Sequence, residues 1–215
     1  MEEIDNPFKK AGMVLLVIGI IDIAVMAYCI SNEISYSSSF NIFAVIAGIF
    51  LIKGSVKTAR VVRWFSAFFI ITFVVMIFLY PVIMPLELLV TRAKLNTASM
   101  LGSFSFSIIF MGVLLWLYKE LSVPVALAKY ESAGYKTGRP KSALFAVLGL
   151  IVFGGSLFAL IMHGESADKA KTLAKEQLGE SYEYHISSIR ISGGKGSAVV
   201  VAYNSNEIKN INVNW

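Results

Sequence analysis

Asp22 is the acidic residue with the most unusual setting in this chain, because it lies near the middle of a long apolar run covering residues 11–30. An ionisable group at membrane depth must be neutralised or paired, and it marks a functional site by default. Two chemistries fit. In one, the carboxyl couples a proton or a cation to transport. In the other, a neutral Asp hydrogen-bonds the first helix to a neighbour. Ser99, Ser103 and Ser107 recur every four residues and so share one helix face. If that helix runs antiparallel to the first, Ser107 falls at the depth of Asp22, and Thr72 is also near mid-membrane. The stripe can line a polar path or serve as a close-packing face, and Ala44 with Gly48 forms a second small-residue pair. Gly154-Gly155 could permit a kink or a tight contact.

Other reactive residues are sparse. The two histidines, His163 and His185, are far apart in the chain and have no cluster of carboxylates or thiols beside them, so no metal-ligand pattern emerges. Cys29 is the one cysteine, which excludes an intramolecular disulfide. There is no G-x-S-x-G, Ser-x-x-Lys or H-E-x-x-H motif, nor a Walker or Rossmann glycine pattern. The "SGGKG" at residues 192–196 joins two expected strands with no helix after it, which argues against a phosphate loop. No catalytic residue, metal or cofactor is therefore expected.

The elements that position these residues are set by composition. Of 215 residues, 56% are hydrophobic and 15% are charged, with a mean hydropathy of +0.69. A soluble domain carries about 25% charge. Here the apolar residues gather in runs long enough to cross a bilayer. The reading is a membrane all-α protein of about five transmembrane helices: residues 11–30, 39–56, 64–84, 98–118 and 142–162. The second is the shortest, and Lys53 must snorkel for it to work. The run at 11–30 is too long for a signal h-region and has no small-x-small cleavage site, so it reads as a retained helix.

Lysine and arginine give the orientation. Lys9 and Lys10 precede the first helix. Lys53, Lys57, Arg60 and Arg63 lie between the second and third, and Lys119, Lys129, Lys136, Arg139 and Lys141 between the fourth and fifth. The intervening connections are poor in both: residues 31–38 have none, and 86–97 have Arg92 and Lys94. This alternation predicts a cytoplasmic N-terminus and an extracytoplasmic C-terminus. Trp64, Trp116 and Tyr118 fall at inner ends, and Tyr28 and Tyr80 at outer ends, as an aromatic belt would. Pro81 and Pro85 should kink or stop the third helix. Residues 86–95 are apolar enough to lie along the outer interface, and residues 122–134 suit a juxtamembrane helix starting at Pro124 and stopping at Gly134. The net charge of +5 reflects these loops and does not point to nucleic acid.

After residue 163 the composition changes, with six acidic and six basic residues over 165–215. Domains are thus expected at 1–163 and 164–215, the second a small extracytoplasmic α+β domain. Residues 168–178 place Ala170, Leu173, Ala174 and Leu178 on one helix face, and Gly179 ends it. Tyr182, Tyr184 and Ile186 alternate as in a strand, a slip at Ser187-Ser188 reads as a bulge, and Ile189 and Ile191 resume. A turn at 193–196, a strand at 198–203, a turn at 204–206 and a strand with Ile211, Val213 and Trp215 complete a three-stranded antiparallel meander. Around fifty residues make a marginal domain, so support from the membrane, a second copy or a partner is expected. The "LGE" at 178–180 and the "SGGKGSAVVV" at 192–201 resemble small periplasmic modules of the PepSY type, and more loosely the single-span cytochrome oxidase assembly proteins. The resemblance implies a fold for the tail alone.

The sequence thus predicts a non-enzymatic, multi-pass protein of a bacterial inner membrane. It would act as an accessory, assembly or protective factor through its outer domain, with the bilayer and a membrane protein, a periplasmic protein or a second copy as partners. The alternative is a small transporter or channel component built on Asp22 and the Ser99/Ser103/Ser107 face.

Overall fold

The computed structural model describes residues 6–34, 36, 41–162 and 164–215. In chain order they form α1 (Lys9–Ser31), α2 (Asn41–Ile52), α3 (Val56–Ile83), α4 (Leu86–Leu95), α5 (Thr97–Glu120), α6 (Pro124–Ser132), α7 (Lys141–Met162) and α8 (Glu165–Leu178). A three-stranded sheet follows: β1 (Glu183–Ser192), β2 (Lys195–Tyr203) and β3 (Ile208–Asn214). Four helices, α1, α3, α5 and α7, are long and apolar enough to cross a membrane. Their large apolar side chains face outward, with Val82 81% and Leu160 73% exposed, a surface that suits lipid rather than water. This is the make-up of a multi-pass membrane protein with a small C-terminal sheet.

The stop and restart between α2 and α3 correct the sequence reading of helices two and three. The expected start at Ser39 lies outside the described residues, but α2 ends at Ile52 rather than 56. Gly54 takes φ +80, its N–H bonds Leu51 O, and the Ser55 N–H bonds Phe50 O. This left-handed glycine cap satisfies carbonyls that the helix end would orphan. The Ser55 hydroxyl then accepts from the Thr58 N–H at 3.3 Å, so α3 starts at Val56, eight residues before Trp64. Lys57, Arg60 and Arg63 therefore sit on the first turns of a helix and not in a loop. At its other end α3 runs through Pro81 and stops before Pro85, which disfavours helical geometry in the residue ahead of it.

The contacts divide the described chain into two compact units. The first holds residues 1–71 and 110–144. In it α1 packs against α2 at Gly12 and Gly48: a Cβ on either would stand 2.8 Å from the other's carbonyl oxygen. Two backbones this close admit no side chain between them. The expected small-residue face at Gly48 is thus used, and its counterpart is Gly12. The Asn6 amide donates to Leu51 O at 2.8 Å and to Ile52 O at 2.9 Å, tying the end of α2 to the segment before α1.

The second unit holds residues 72–109 and 145–215. Its sheet has the order β1-β2-β3, all antiparallel. The expected bulge is present, as a register shift between Ile186 and Ser188. Gly193 and Gly194 have φ +57 and +78, the geometry of a tight two-residue hairpin turn. Asn204 Oδ1 accepts from the N–H groups of Asn206 and Glu207 and so closes the next turn. Ala167, Ala170 and Ala174 of α8 bury against Ile186, Ala198, Val200 and Val213. Side chains alternate along a strand. The other face of β2 accordingly presents Val201 and Tyr203, and these bury Leu88 of α4, with Met84 and Ile208 alongside. The small sheet is thus held between α8 and α4. The support the sequence sought outside the domain includes a helix of the same chain.

Candidate functional site

In the first unit, one end of the helices is organised around Arg63. It is only 7% exposed, although the sequence placed it among the loop charges. Its Nε donates to the Ser122 hydroxyl at 2.8 Å and its Nη1 to Thr137 O at 3.1 Å. The guanidinium also lies over the rings of Tyr118 and Tyr130, at 5.7 and 5.8 Å. Arg60 lies over Tyr135 at 4.8 Å. Arginine suits such a site because its planar, weakly hydrated cation both stacks and donates. Tyr130 is buried, donates to Leu121 O at 3.1 Å, and stacks on Phe8 at 5.7 Å. Burial pushes its phenol up to about 12, with the Arg63 charge pulling the other way. Around these groups Phe8, Ala11, Leu51, Ala59, Leu117, Leu121, Ala126 and Tyr130 form one core. That core joins the N-terminal segment, the α2–α3 junction and the α5–α7 connection, the three stretches that carry most of the lysine and arginine. The arginine–tyrosine pairing was the missed signal: Tyr118, Tyr130 and Tyr135 stand in a basic stretch, where aromatic rings have a cation to meet.

Asp22 is half-buried on α1 and is engaged: the Tyr36 hydroxyl donates to its carboxylate oxygen Oδ1 and lies 3.2 Å from its backbone carbonyl. Tyr36 was not singled out from the sequence. Thr72, Ser99, Ser103 and Ser107 belong to the second unit, and Asp22 to the first. Ser99 and Ser103 are exposed, Ser107 and Thr72 are half-buried, and the Ser103 hydroxyl donates to Ser99 O at 3.0 Å. In an apolar helix this back-bonding to the preceding turn satisfies a serine without a partner helix.

In the second unit, the polar groups concentrate where α4 meets the strands. Thr91, 5% exposed, donates its hydroxyl to Asn204 O at 3.2 Å. A shallow cleft of 590 Å³ lies beside this contact, with Glu87, Lys94, Glu183 and Tyr203 on its walls. Tyr203 donates to Glu183 Oε2 at 2.6 Å. Its burial, that hydrogen bond and the negative charges of Glu183 and Glu87 hold the phenol well above the usual tyrosine range. A raised folded pKa stabilises the fold below the unfolded pKa and loses that contribution as pH rises through it. The thermal stability of the C-terminal domain is therefore expected to fall off as pH rises past about 10. Tyr203→Phe should flatten that dependence, and an unchanged pH profile would refute the assignment.

Nearby, Tyr182 donates to Glu207 Oε1 and accepts from Lys209 Nζ at 2.7 Å, while Lys209 pairs Glu207 at 3.0 Å. The Tyr182 hydrogen bond and then Lys209 hold the Glu207 carboxyl below its ordinary value. His185 is half-buried on β1. Burial lowers its pKa, and the charges of Arg92 and Lys171 lower it further, which favours a neutral imidazole. His163 lies outside the described residues. Among the described residues, no three of His, Cys, Asp and Glu come together as a metal site would require. Comparison with protein-family models, curated proteins and solved structures finds no match to this chain.

Proposed function

We propose that the chain is a bacterial inner-membrane protein of five crossings, with its N-terminus in the cytoplasm and its C-terminal domain outside. It acts without catalysis, as an accessory, assembly or protective factor, through protein contacts made by that domain. The observation that carries this reading is the clamping of the sheet between α8 and α4. Because α4 is joined to α3 by two residues, Met84 and Pro85, and to α5 by one, Asn96, a sheet fixed to it presents a set surface to partners.

The topology has two supports. The shared core around Tyr130 gathers the basic segments, and a positive cluster favours the cytoplasmic side. The 12 residues of α2 rise only about 18 Å, less than a bilayer core. Yet the Asn6 and Gly12–Gly48 contacts return the chain to the start of α1, which supports a second crossing between α1 and α3.

The test is crosslinking and pull-down from native membranes with the full chain and with a form cut after Met162. Because the cut uncovers Leu88, a full-length Asn210→Arg, Asn212→Arg variant on exposed β3 is run beside it. The expected result is a specific partner recovered with the full chain and lost with both altered forms. Recovery of self-associated protein alone, from all forms, would overturn the reading. A second reading, a proton- or cation-coupled carrier, is favoured by the Asp22–Tyr36 pair. In that case Asp22→Asn abolishes ion flux, whereas a scaffold keeps working.

A further inference from the structure

We propose that the start of α3 binds the headgroup of an anionic phospholipid, at a site formed by Arg60 and Tyr135 and backed by the buried Arg63. The proposal stands independently of the partner reading above and of which leaflet this end of the helices faces.

Two segments build the site. α3 carries Arg60 and Arg63 one turn apart, and the residues that follow α6 run past them. Arg60 lies over the Tyr135 ring at 4.8 Å. Arg63 Nη1 donates to Thr137 O at 3.1 Å. Trp64 Nε1 donates to the Ser142 hydroxyl at 2.9 Å. These successive contacts lay residues 135–142 along α3, so the arginines and the ring belong to one surface. The length of the helix sets its depth. The uncharged part of α3, residues 64–83, rises about 30 Å, the thickness of a bilayer core. Arg60 stands one turn ahead of that stretch, at the level of lipid headgroups.

Three features select the ligand. First, the charge is uncompensated. The ion pairs among the described residues are Lys175–Glu180 and Lys209–Glu207, so neither arginine meets a carboxylate. Residues 53–63 hold four cations and no acid, and residues 129–141 hold four cations and Glu131. Arg63 is 7% exposed and touches neutral groups, and a buried charge is costly until an opposite one lies near it. An anion held by Arg60, one turn away, supplies that charge. The ammonium of a zwitterionic headgroup would instead meet like charges. Second, the donors are available. Arg60 is exposed and makes no hydrogen bond to a described residue. With one face on Tyr135, its rim of N–H groups is held as a fork, which matches the two free oxygens of a phosphodiester. Basic sites between helices at this depth suit such headgroups. Third, the surface continues into an apolar wall. Trp64 and Phe68 follow Arg60 at four-residue steps, and their rings stack at 5.5 Å with planes 11° apart. An acyl chain can lie against that wall, and a free phosphate ion has no use for it.

The test is native mass spectrometry of the full-length protein in a neutral detergent, titrated with dioleoyl phosphatidylglycerol. The comparisons are phosphatidylcholine with the same chains and glycerophosphoglycerol, the same headgroup without chains. Saturable binding of phosphatidylglycerol is expected, at least about tenfold tighter than either comparison. Arg60→Gln should weaken it about tenfold or more, the scale of a charge-assisted hydrogen bond. Lys57→Gln removes the same charge one turn earlier and should change it less than about twofold, as a solvated point charge does. Both positions are exposed, so the fold is retained. No saturable binding, equal binding of phosphatidylcholine, or no effect of Arg60→Gln would each overturn the proposal. So would equal binding of the headgroup alone, which marks a free-phosphate site, or equal losses in the two variants, which mark a diffuse charge effect.

Discussion

Gly48→Val is expected to separate α1 from α2 and to destabilise the first unit by about 3 kcal/mol, at the top of the range for overpacking. The atoms an added Cβ would meet are Gly12 O at 2.8 Å, Leu16 N at 2.8 Å and Leu16 Cα at 3.0 Å. All three are backbone atoms, so no rotamer change relieves the overlap and the helices themselves must move. That movement also strains the Asn6 bonds to Leu51 O and Ile52 O, each worth about 0.5–1.5 kcal/mol. The measurement is thermal unfolding of the purified protein in detergent, with Gly102→Val as the control. Gly102 is also in a long helix, but nothing lies within 4 Å of its would-be Cβ. Equal loss of stability in the two variants would mean that valine in a helix, and not the close crossing, is responsible.

Leu88→Ala is the second large effect. Leu88 is fully buried against Val201 and Tyr203. Removing its methyl groups should cost about 2–5 kcal/mol, as buried leucine truncations do. The loss should be local. Hydrogen exchange should quicken in α4 and in the β2–β3 end of the sheet, while amides of α1 and α2 keep their protection. Uniform loss of protection along the chain would show that α4 does not hold the domain as described. An unchanged pattern would show that α8 alone suffices.

What could be read from the sequence follows the strength of local signals. The four long helices are legible because bilayer length demands an uncharged run that nothing else in a protein requires. The meander is legible to the bulge, because Ser187-Ser188 visibly breaks a period of two. The α2–α3 junction was misplaced although Gly54 and Ser55 both carried a signal, a left-handed stop and a helix cap. The basic residues drew attention to themselves as loop markers and hid the helix beneath them. Leu88 and Gly12 belong to another class. Each matters because of what a distant segment brings to it, Val201 in one case and Gly48 in the other. Asp22 is visible as an acidic residue in an apolar run, but Tyr36, which donates to it, lies in a connection where no periodicity points to a contact.

The bulge in β1 also bears on symmetry. Both outer strands of the sheet, β1 and β3, have an unpaired edge within the sheet. They are not equivalent templates. The extra residue at Ser187 throws the pleat of β1 out of step partway along, so an incoming straight strand can match only one half of it. β3 pairs with β2 without interruption from Ile208 to Asn214. Two copies adding edge to edge would therefore meet through β3, antiparallel and about a two-fold axis, to form a continuous six-stranded sheet. Lys209 stands on that edge already paired with Glu207 at 3.0 Å, so such a closure would bring neutralised pairs, not bare cations, to the seam.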